Sequence, residues 1–379
     1  MNSQARDVLN MKIPQASPIF DDEMKEAAVD ALASERFVSG ESVFRFEEEF
    51  ARYCGADYAV STGSGTSALL LSLLALGAGR GDHVTTTPAS FIATANVALH
   101  ANATPLFADI DIETYNIDPE ALRKKVTKKT KVVVPVHLYG FPADMDSILE
   151  ISDQHGFAVV EDSCQAHGAE YHGRKTGTIG DVGCFSFYPA KNMTVCGDGG
   201  MVVTNNEKVA ETVAKLRDCG RVSHYEHDMV GFTSRLNTVN AAIGRVQLRR
   251  LDRWNDKRRT IARWYDSLLS DLDELVLPPK EEPVVRPVYH LYVIRIRSRD
   301  KLRAWMEQNG VQCGVHYPLP IHLQPVYRKL FSYREGAFPN SELLCETALS
   351  LPMFPDLEKQ EVGYVCEKIH EFLDHQTWR

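Results

Sequence analysis

Closely spaced cysteines are missing from this sequence. Its eight cysteines are scattered over 379 residues and no two have CxxC spacing, so neither a zinc nor an iron–sulfur site is predicted. Isolated thiols in a chain of this length are typical of a reduced compartment. The segment MNSQARDVLNMKIPQ at the N-terminus also lacks the apolar core of a signal peptide. We therefore expect a cytoplasmic protein that holds no metal.

Long apolar runs and an excess of basic residues are absent as well. The apolar runs are strand-sized or interrupted by polar residues, so no membrane span is predicted. The 42 basic and 51 acidic residues give a net charge of −9, which favours neither nucleic acid nor an anionic membrane as a partner. The basic stretch 249–259 contains acidic residues at helical spacing, and we interpret it as a solvated helix face.

Strand-like and helix-like segments alternate through the first two thirds of the chain. Runs rich in β-forming residues lie at 83–87, 104–108, 131–136, 157–161, 183–187 and 200–204. Helical patterns lie at 21–34, 65–77, 119–127 and 145–155. This alternation predicts an α/β fold with a mostly parallel central sheet and helices on both faces.

A second, smaller unit is predicted towards the C-terminus. The charged run 245–272 indicates one long helix, followed by a strand at 289–297 and a helix at 301–309. A chain of this length suits one large and one small domain. We predict a large α/β domain over 1–250 and a small α+β domain over 251–379.

A glycine turn between a strand and a buried helix, YAVSTGSGTSALLL, indicates a phosphate site near the N-terminal third, because free N–H groups at a helix N-terminus point at an anion. Gly63, Gly65 and Ala68 also match the dinucleotide pattern GxGxxG/A, with Asp82 downstream. A nicotinamide-dependent oxidoreductase and a tight turn without ligand are therefore alternatives. The dinucleotide motif usually lies in the first βαβ unit, whereas here a predicted helix precedes it.

A carboxylate and an amine follow at positions that suit catalysis. Asp162 ends a hydrophobic strand, at the edge where open α/β sheets bind ligands. Lys191 lies in a loop between two strands and is followed by three glycines. A phosphate site, a strand-end Asp and a loop Lys together are what pyridoxal phosphate (PLP) requires. Taken alone, such an Asp is usually a cap or turn residue, and such a Lys is usually a solvated charge.

Specific motifs then make the chain similar to a known group of enzymes. They are FVSGESVFRFEEEFARYCGADYAV, GSGTSALLL, PASFIATANVALHANATPLFADID, VPVHLYGFPADMD, EDSCQAHGA, SFYPAKN and GFTSRLNTVNAAIGRVQLRRLD. With these motifs the sequence resembles the DegT/StrS-like nucleotide-sugar aminotransferases, which are fold-type I PLP enzymes. The resemblance covers nearly the whole chain.

The resemblance implies a role for each matching residue. Lys191 carries PLP as a Schiff base and acts as the catalytic base, and Asp162 pairs with the pyridine nitrogen. Further cofactor contacts are implied at Gly65, Thr66, Ser67, Phe91, Gln165 and Ser186. Thr233 and Arg235 are expected to reach the site of a neighbouring subunit, so a homodimer with shared active sites is implied. Thr233 stands where the family usually has Asn, which leaves that contact open.

The resemblance also indicates the reaction. Relatives with histidine in place of the lysine are dehydratases, so Lys191 favours transamination, with L-glutamate as donor and 2-oxoglutarate as its product. A nucleotide-linked 3-keto sugar is the expected acceptor, because 4-keto enzymes more often have His in place of Tyr188 and Tyr in place of Ser234. A 4-keto sugar and a keto-cyclitol stay open, as does a regulatory protein without turnover. The expected substrate-binding residues are Tyr188, His316, Tyr317 and His322.

Overall fold

A seven-stranded sheet forms the centre of the computed structural model, which describes residues 12–377. Across the sheet the strands are β1 (Tyr58–Thr62), β9 (Gly200–Thr204), β8 (Val182–Ser186), β5 (Ala158–Asp162), β4 (Thr130–Val133), β2 (His83–Thr86) and β3 (Thr104–Phe107). Strand β9 runs antiparallel to both of its neighbours, and the other adjacent pairs are parallel. The predicted mostly parallel sheet is therefore confirmed.

Helices pack on both faces of this sheet. They include α1 (Asp22–Ser34), α2 (Glu41–Cys54), α3 (Gly65–Ala75), α4 (Ala93–His100), α5 (Pro119–Lys125), α6 (Met145–His155), α7 (Glu207–Leu216) and α8 (Thr238–Leu248). Along β8, Val182 packs into the cluster that contains α3, whereas Phe185 packs into the cluster that contains α2. Alternate side chains of a strand point to opposite faces, so this central strand is covered on both sides.

The C-terminal part has its own sheet and core. It contains α9 (Leu251–Leu269), β11 (Tyr292–Arg295), α10 (Arg299–Gln308), α11 (Pro325–Phe331), α12 (Pro339–Thr347), β12 (Ala348–Leu351) and α13 (Lys359–Thr377). Strands β11 and β12 pair antiparallel. A small sheet joins β6 (Glu170–Tyr171) and β7 (Arg174–Lys175), which lie between β5 and β8 in sequence, to β10 (Val285–Arg286) of the C-terminal part. Ile13 pairs with Val311 and packs into the C-terminal core. The domain division at residue 250 stays a prediction.

The prediction of one long helix over 245–272 was wrong. The segment contains the end of α8 and the whole of α9, with a break at Arg249 and Arg250. Both guanidinium groups pair with Glu23 at the start of α1, and that of Arg250 also pairs with Asp21. The break has no glycine or proline to mark it, which is why the charge pattern did not reveal it.

Helix α9 fixes the C-terminal loops to the rest of the fold. Its buried Arg258 donates through Nη1 to the backbone oxygens of Tyr289, His290 and Met353, at 3.1, 3.2 and 3.1 Å. Its buried Asn255 donates to the backbone oxygen of His167 at 2.8 Å. One rigid helix therefore holds loops from both parts of the chain. Within residues 12–377, no helix has the length and hydropathy needed to cross a membrane.

Candidate active site

A cavity of about 480 Å³ lies where the carboxyl ends of β5 and β8 meet the N-terminus of α3. Parallel strands bring their carboxyl ends to one edge of a sheet, which is where open α/β folds bind ligands. The cavity brings together these predicted residues: Gly65, Thr66, Phe91, Asp162, Gln165, Ser186, Tyr188, Lys191, His316 and Tyr317.

The N-terminus of α3 is built as an anion site against β8. Ser64 caps the helix by accepting the Ser67 N–H at 3.1 Å, and the cap leaves the preceding helical N–H groups free for a ligand. Gly65 lies so close to the strand that an added Cβ would be 2.6 Å from the Cβ of Ser186. The glycine therefore allows the helix start, Thr66 and Ser186 to face one point in the cavity.

Asp162 is a buried carboxylate without a cationic partner in the described chain. Its Oδ2 accepts a hydrogen bond from Thr94 Oγ1 at 2.8 Å, and its Oδ1 accepts one from the Cys164 N–H at 3.2 Å. Within residues 12–377, no Lys, Arg or His nitrogen lies close enough to Asp162 for an ion pair. A buried carboxylate favours a paired positive charge, so this site suits a protonated nitrogen on a ligand.

Lys191 follows β8, and its backbone N–H donates to the Tyr188 carbonyl at 2.8 Å. Burial lowers the pKa of Lys191, while the nearby Cys164 and Asp162 partly oppose that shift. A lowered pKa increases the fraction of neutral amine, which is the nucleophilic form of lysine. The side chain is thus prepared for covalent chemistry at its Nζ.

Aromatic and imidazole rings also line the cavity. The rings of Phe91 and Tyr317 have centroids 5.9 Å apart and are tilted by 40°. His316 Nδ1 lies 2.9 Å from Ser350 Oγ, and burial lowers the pKa of His316 to about 4. Gln165 accepts the backbone N–H of Tyr139 at 2.9 Å. These mostly neutral side chains share the cavity with Asp162 and Lys191.

The side chains present fit PLP. The helix start at Gly65 and Thr66, with Ser186, suits a phosphate. The uncompensated Asp162 carboxylate suits a ring N–H, Phe91 offers a flat face to the ring, and Lys191 offers an amine to a carbonyl carbon. Each of these groups lines the same cavity.

Three predicted cofactor residues do not line the cavity of this chain. The hydroxyl of Ser67 lies 3.0 Å from Ser64 Oγ, so it belongs to the helix cap. Thr233 is exposed, with its hydroxyl 3.3 Å from Cys219 Sγ, and Arg235 pairs with Asp218. For Thr233 and Arg235 this placement agrees with the expectation that they serve a neighbouring subunit, which stays a prediction.

His322, which was predicted to bind the substrate, also lies outside the cavity. Its side chain is fully buried, with Nε2 3.0 Å from Glu342 Oε1 and the ring 4.7 Å from that of Phe338. Glu342 also accepts backbone N–H groups from Gly336 and Phe338. The imidazole therefore helps to order that loop, and we withdraw its assignment to the substrate.

Several cavity residues were missed from the sequence. Thr94 and Ser90 lie within PASFIATAN, and their hydroxyls are 2.9 Å apart. Thr94 lies in the first turn of α4, three residues after Phe91, and this short spacing was a signal that could have been used. His290 lines the cavity from the loop before β11, and its sequence context gave no sign of this. Among residues 12–377, no cluster of three or more His, Cys, Asp or Glu side chains could hold a metal ion.

Comparisons with known proteins identify relatives of this chain. The model of the DegT/DnrJ/EryC1/StrS aminotransferase family matches residues 18–370. A pleiotropic regulatory protein of Geobacillus stearothermophilus is 43% identical over 91% of this chain and 93% of its own length. A dTDP-3-amino-3,4,6-trideoxy-alpha-D-glucose transaminase of Streptomyces venezuelae is 40% identical over 93% of this chain and 92% of its own length. The crystal structure of S. venezuelae DesV with a ketimine intermediate has a TM-score of 0.90 and 40% identity, covering 92% of this chain and 94% of DesV.

Proposed function

Because this chain belongs to the DegT/DnrJ/EryC1/StrS aminotransferase family and is a PLP-dependent sugar aminotransferase, we propose that it moves the amino group of L-glutamate onto a nucleotide-linked 3-keto sugar. The observation that carries this proposal is the single cavity shared by Lys191, Asp162 and the glycine turn at Gly65. A nicotinamide-dependent oxidoreductase would use the glycine turn, but its reaction would not account for Lys191 and Asp162.

The residues of the cavity divide the chemistry among them. When bound, PLP supplies an electrophilic carbon and a ring that accepts electrons as a proton leaves the substrate. Lys191 Nζ would anchor the cofactor, and its free amine would take and return that proton, because its lowered pKa leaves the amine available as a base. Asp162 would hold the proton on the ring nitrogen, and the hydrogen bond from Thr94 fixes the carboxylate.

The test is the visible absorption spectrum of the protein with PLP, before and after addition of L-glutamate. We expect the native chain to develop a visible band that glutamate bleaches, and Lys191→Ala to form no band with its own side chain. The matched control is Lys208→Ala, because Lys208 is exposed on α7. If the native chain does not bind PLP, or if Lys191→Ala responds as the native chain does, the assignment of Lys191 fails.

Two sequence positions, Tyr188 and Ser234, and one relative support the 3-keto acceptor. Tyr188 lines the cavity and is 56% exposed, so it is placed to meet a substrate. The S. venezuelae relative is named for a 3-amino sugar. The test compares nucleotide 3-keto and 4-keto sugars and a keto-cyclitol as acceptors for the native chain and Tyr188→His, and we expect the native chain to prefer the 3-keto sugar. A native preference for the 4-keto sugar or for a keto-cyclitol would refute this choice of acceptor.

We propose a homodimer with shared active sites, because the loop that contains Thr233 is exposed. In this chain Val230 is 92% exposed, Tyr225 86% and Phe232 41%. Apolar side chains this exposed and close in sequence are typical of a protein interface. We expect a dimer in sedimentation analysis, and expect Val230→Asp to weaken the dimer and the affinity for PLP together. A monomeric native chain that binds PLP fully would contradict the shared site.

A further inference from the structure

His290 lines the cavity but has no task in the chemistry described above. Its Nδ1 lies 3.2 Å from Asn192 Oδ1, and Asn192 is the residue directly after Lys191. The imidazole is therefore connected to the loop that carries the catalytic amine. Which ring nitrogen carries the hydrogen decides what His290 can do there.

Two buried amides fix that hydrogen. Asn255 Nδ2 donates to the backbone oxygen of His167 at 2.8 Å, so Asn255 Oδ1 is left as an acceptor. Asn192 Nδ2 donates to that Oδ1 at 2.9 Å and to the backbone oxygen of Val288 at 3.1 Å. Because backbone oxygens only accept, both amides have one allowed orientation. Asn192 must then present its own oxygen to His290.

It follows that His290 carries its hydrogen on Nδ1. Asn192 Oδ1 has no hydrogen to give, so Nδ1 must donate, and in a neutral ring Nε2 is then an acceptor. Burial lowers the pKa of His290 well below its usual value, and the charges of Lys191 and Arg258 lower it further, so the ring is neutral. In the described chain Nε2 accepts no hydrogen bond but is accessible to solvent, and we infer that it faces the cavity.

We propose that His290 is a positioning residue for Lys191, and that its Nε2, which is free in this structure, accepts a hydrogen bond from the Lys191 amine when that amine is protonated. This inference rests on the proposed role of Lys191. The hydrogen bond orients Nζ towards the centre of the cavity and stabilises the protonated amine, in opposition to burial. The titratable and charged groups that face this pair are Asp162, Cys164, His167, Arg258 and His316.

The first experiment reads the tautomer directly. With ¹⁵N-labelled histidine in the cofactor-free protein, long-range nitrogen–proton spectra distinguish a ring that is protonated on Nδ1 from one that is protonated on Nε2. We expect His290 to be neutral and protonated on Nδ1, and Asn192→Leu to remove that preference. A native His290 protonated on Nε2 would overturn the inference.

The second experiment follows the rate at which the cofactor-free protein captures PLP as a function of pH. In His290→Leu the protonated amine loses its acceptor, so the midpoint of the rate profile should move to lower pH by about one unit, which corresponds to the loss of one hydrogen bond. In His290→Gln the amide oxygen can replace Nε2 and should restore the midpoint. General loosening of the site would expose Lys191 and move the midpoint to higher pH instead.

The outcomes distinguish the inferred role of His290 from the proposed role of Lys191. An unchanged or raised midpoint in His290→Leu, in a native chain that captures PLP, would overturn the role of His290 alone. Failure of the native chain to capture PLP would overturn the proposed role of Lys191, and this inference with it.

Discussion

Replacing Gly65 with alanine tests whether the start of α3 is shaped for close contact with the strand ends. An added Cβ would lie 2.6 Å from the Cβ of Ser186, 3.2 Å from its Cα and 2.8 Å from Cys164 Sγ. Because one of these atoms belongs to the backbone of the strand end, the helix or the strand must move. The movement would separate the helix N–H groups from Ser186.

The magnitude follows from two opposing effects. Overpacking of a buried site costs about 1–3 kcal/mol, whereas glycine to alanine in an unobstructed helix gains about 0.5–1 kcal/mol. Gly363 lies within α13, and an added Cβ there would meet nothing within 4 Å. Gly363→Ala is therefore the matched control, and the free energies of unfolding of the two variants should differ by about 1.5–4 kcal/mol.

Urea unfolding of the cofactor-free protein measures that difference, and titration with PLP measures the effect on the site. We expect Gly65→Ala to weaken PLP binding by about tenfold or more, which corresponds to about 1.4 kcal/mol, and Gly363→Ala to leave it unchanged. If Gly65→Ala is as stable as the control and binds PLP with native affinity, the close approach of helix and strand has no part in the site.

Three further changes test the surroundings of the cavity. Thr94→Val removes the hydrogen bond to the buried carboxylate of Asp162, so urea unfolding of the cofactor-free protein should show a loss of about 1.5–3 kcal/mol, and Thr94→Ser should recover most of it; an isosteric change without effect would contradict the contact. Glu161 accepts hydrogen bonds from His137 and three backbone N–H groups, so Glu161→Gln should lower the free energy of unfolding by about 3–5 kcal/mol in urea, and an unchanged value would contradict these contacts. Burial lowers the pKa of His316 from 6.5 to about 4. As the pH falls from 6.5 to 4, the unfolded chain therefore binds a proton at His316 before the folded chain does, and the free energy of unfolding should fall. Unfolding curves of His316→Asn should show a shallower dependence of stability on pH, and an equal slope would refute this.

Local patterns were enough to predict the elements of the large sheet. Strand β9 and helix α6 have the predicted bounds, and β8 differs by one residue at each end, because alternation, caps and glycine stops are encoded within each segment. The break between α8 and α9 was missed because Arg249 and Arg250 pair with residues more than two hundred positions away. Tertiary ion pairs leave no trace in a local pattern.

The candidate site also contains residues that the sequence predicts and residues that only the fold reveals. Asp162 and Lys191 were predictable, because a strand end and a glycine-bounded loop mark them in the sequence. His322 belongs to the same loop motif as His316, but only the fold shows that one ring faces Glu342 and the other the cavity. Thr94 and His290 become relevant through hydrogen bonds to Asp162 and Asn192, which join segments distant in sequence.

Helix α9 also constrains how molecules reach the cavity. Through Asn255 and Arg258 it is bonded to the loop that follows β5 and to the loop that carries His290. A hinge motion that separated the two parts of the chain at this helix would have to break those buried bonds together. Phe91 and Tyr188 line the cavity and are 53% and 56% exposed, so we expect ligands to enter past these two side chains.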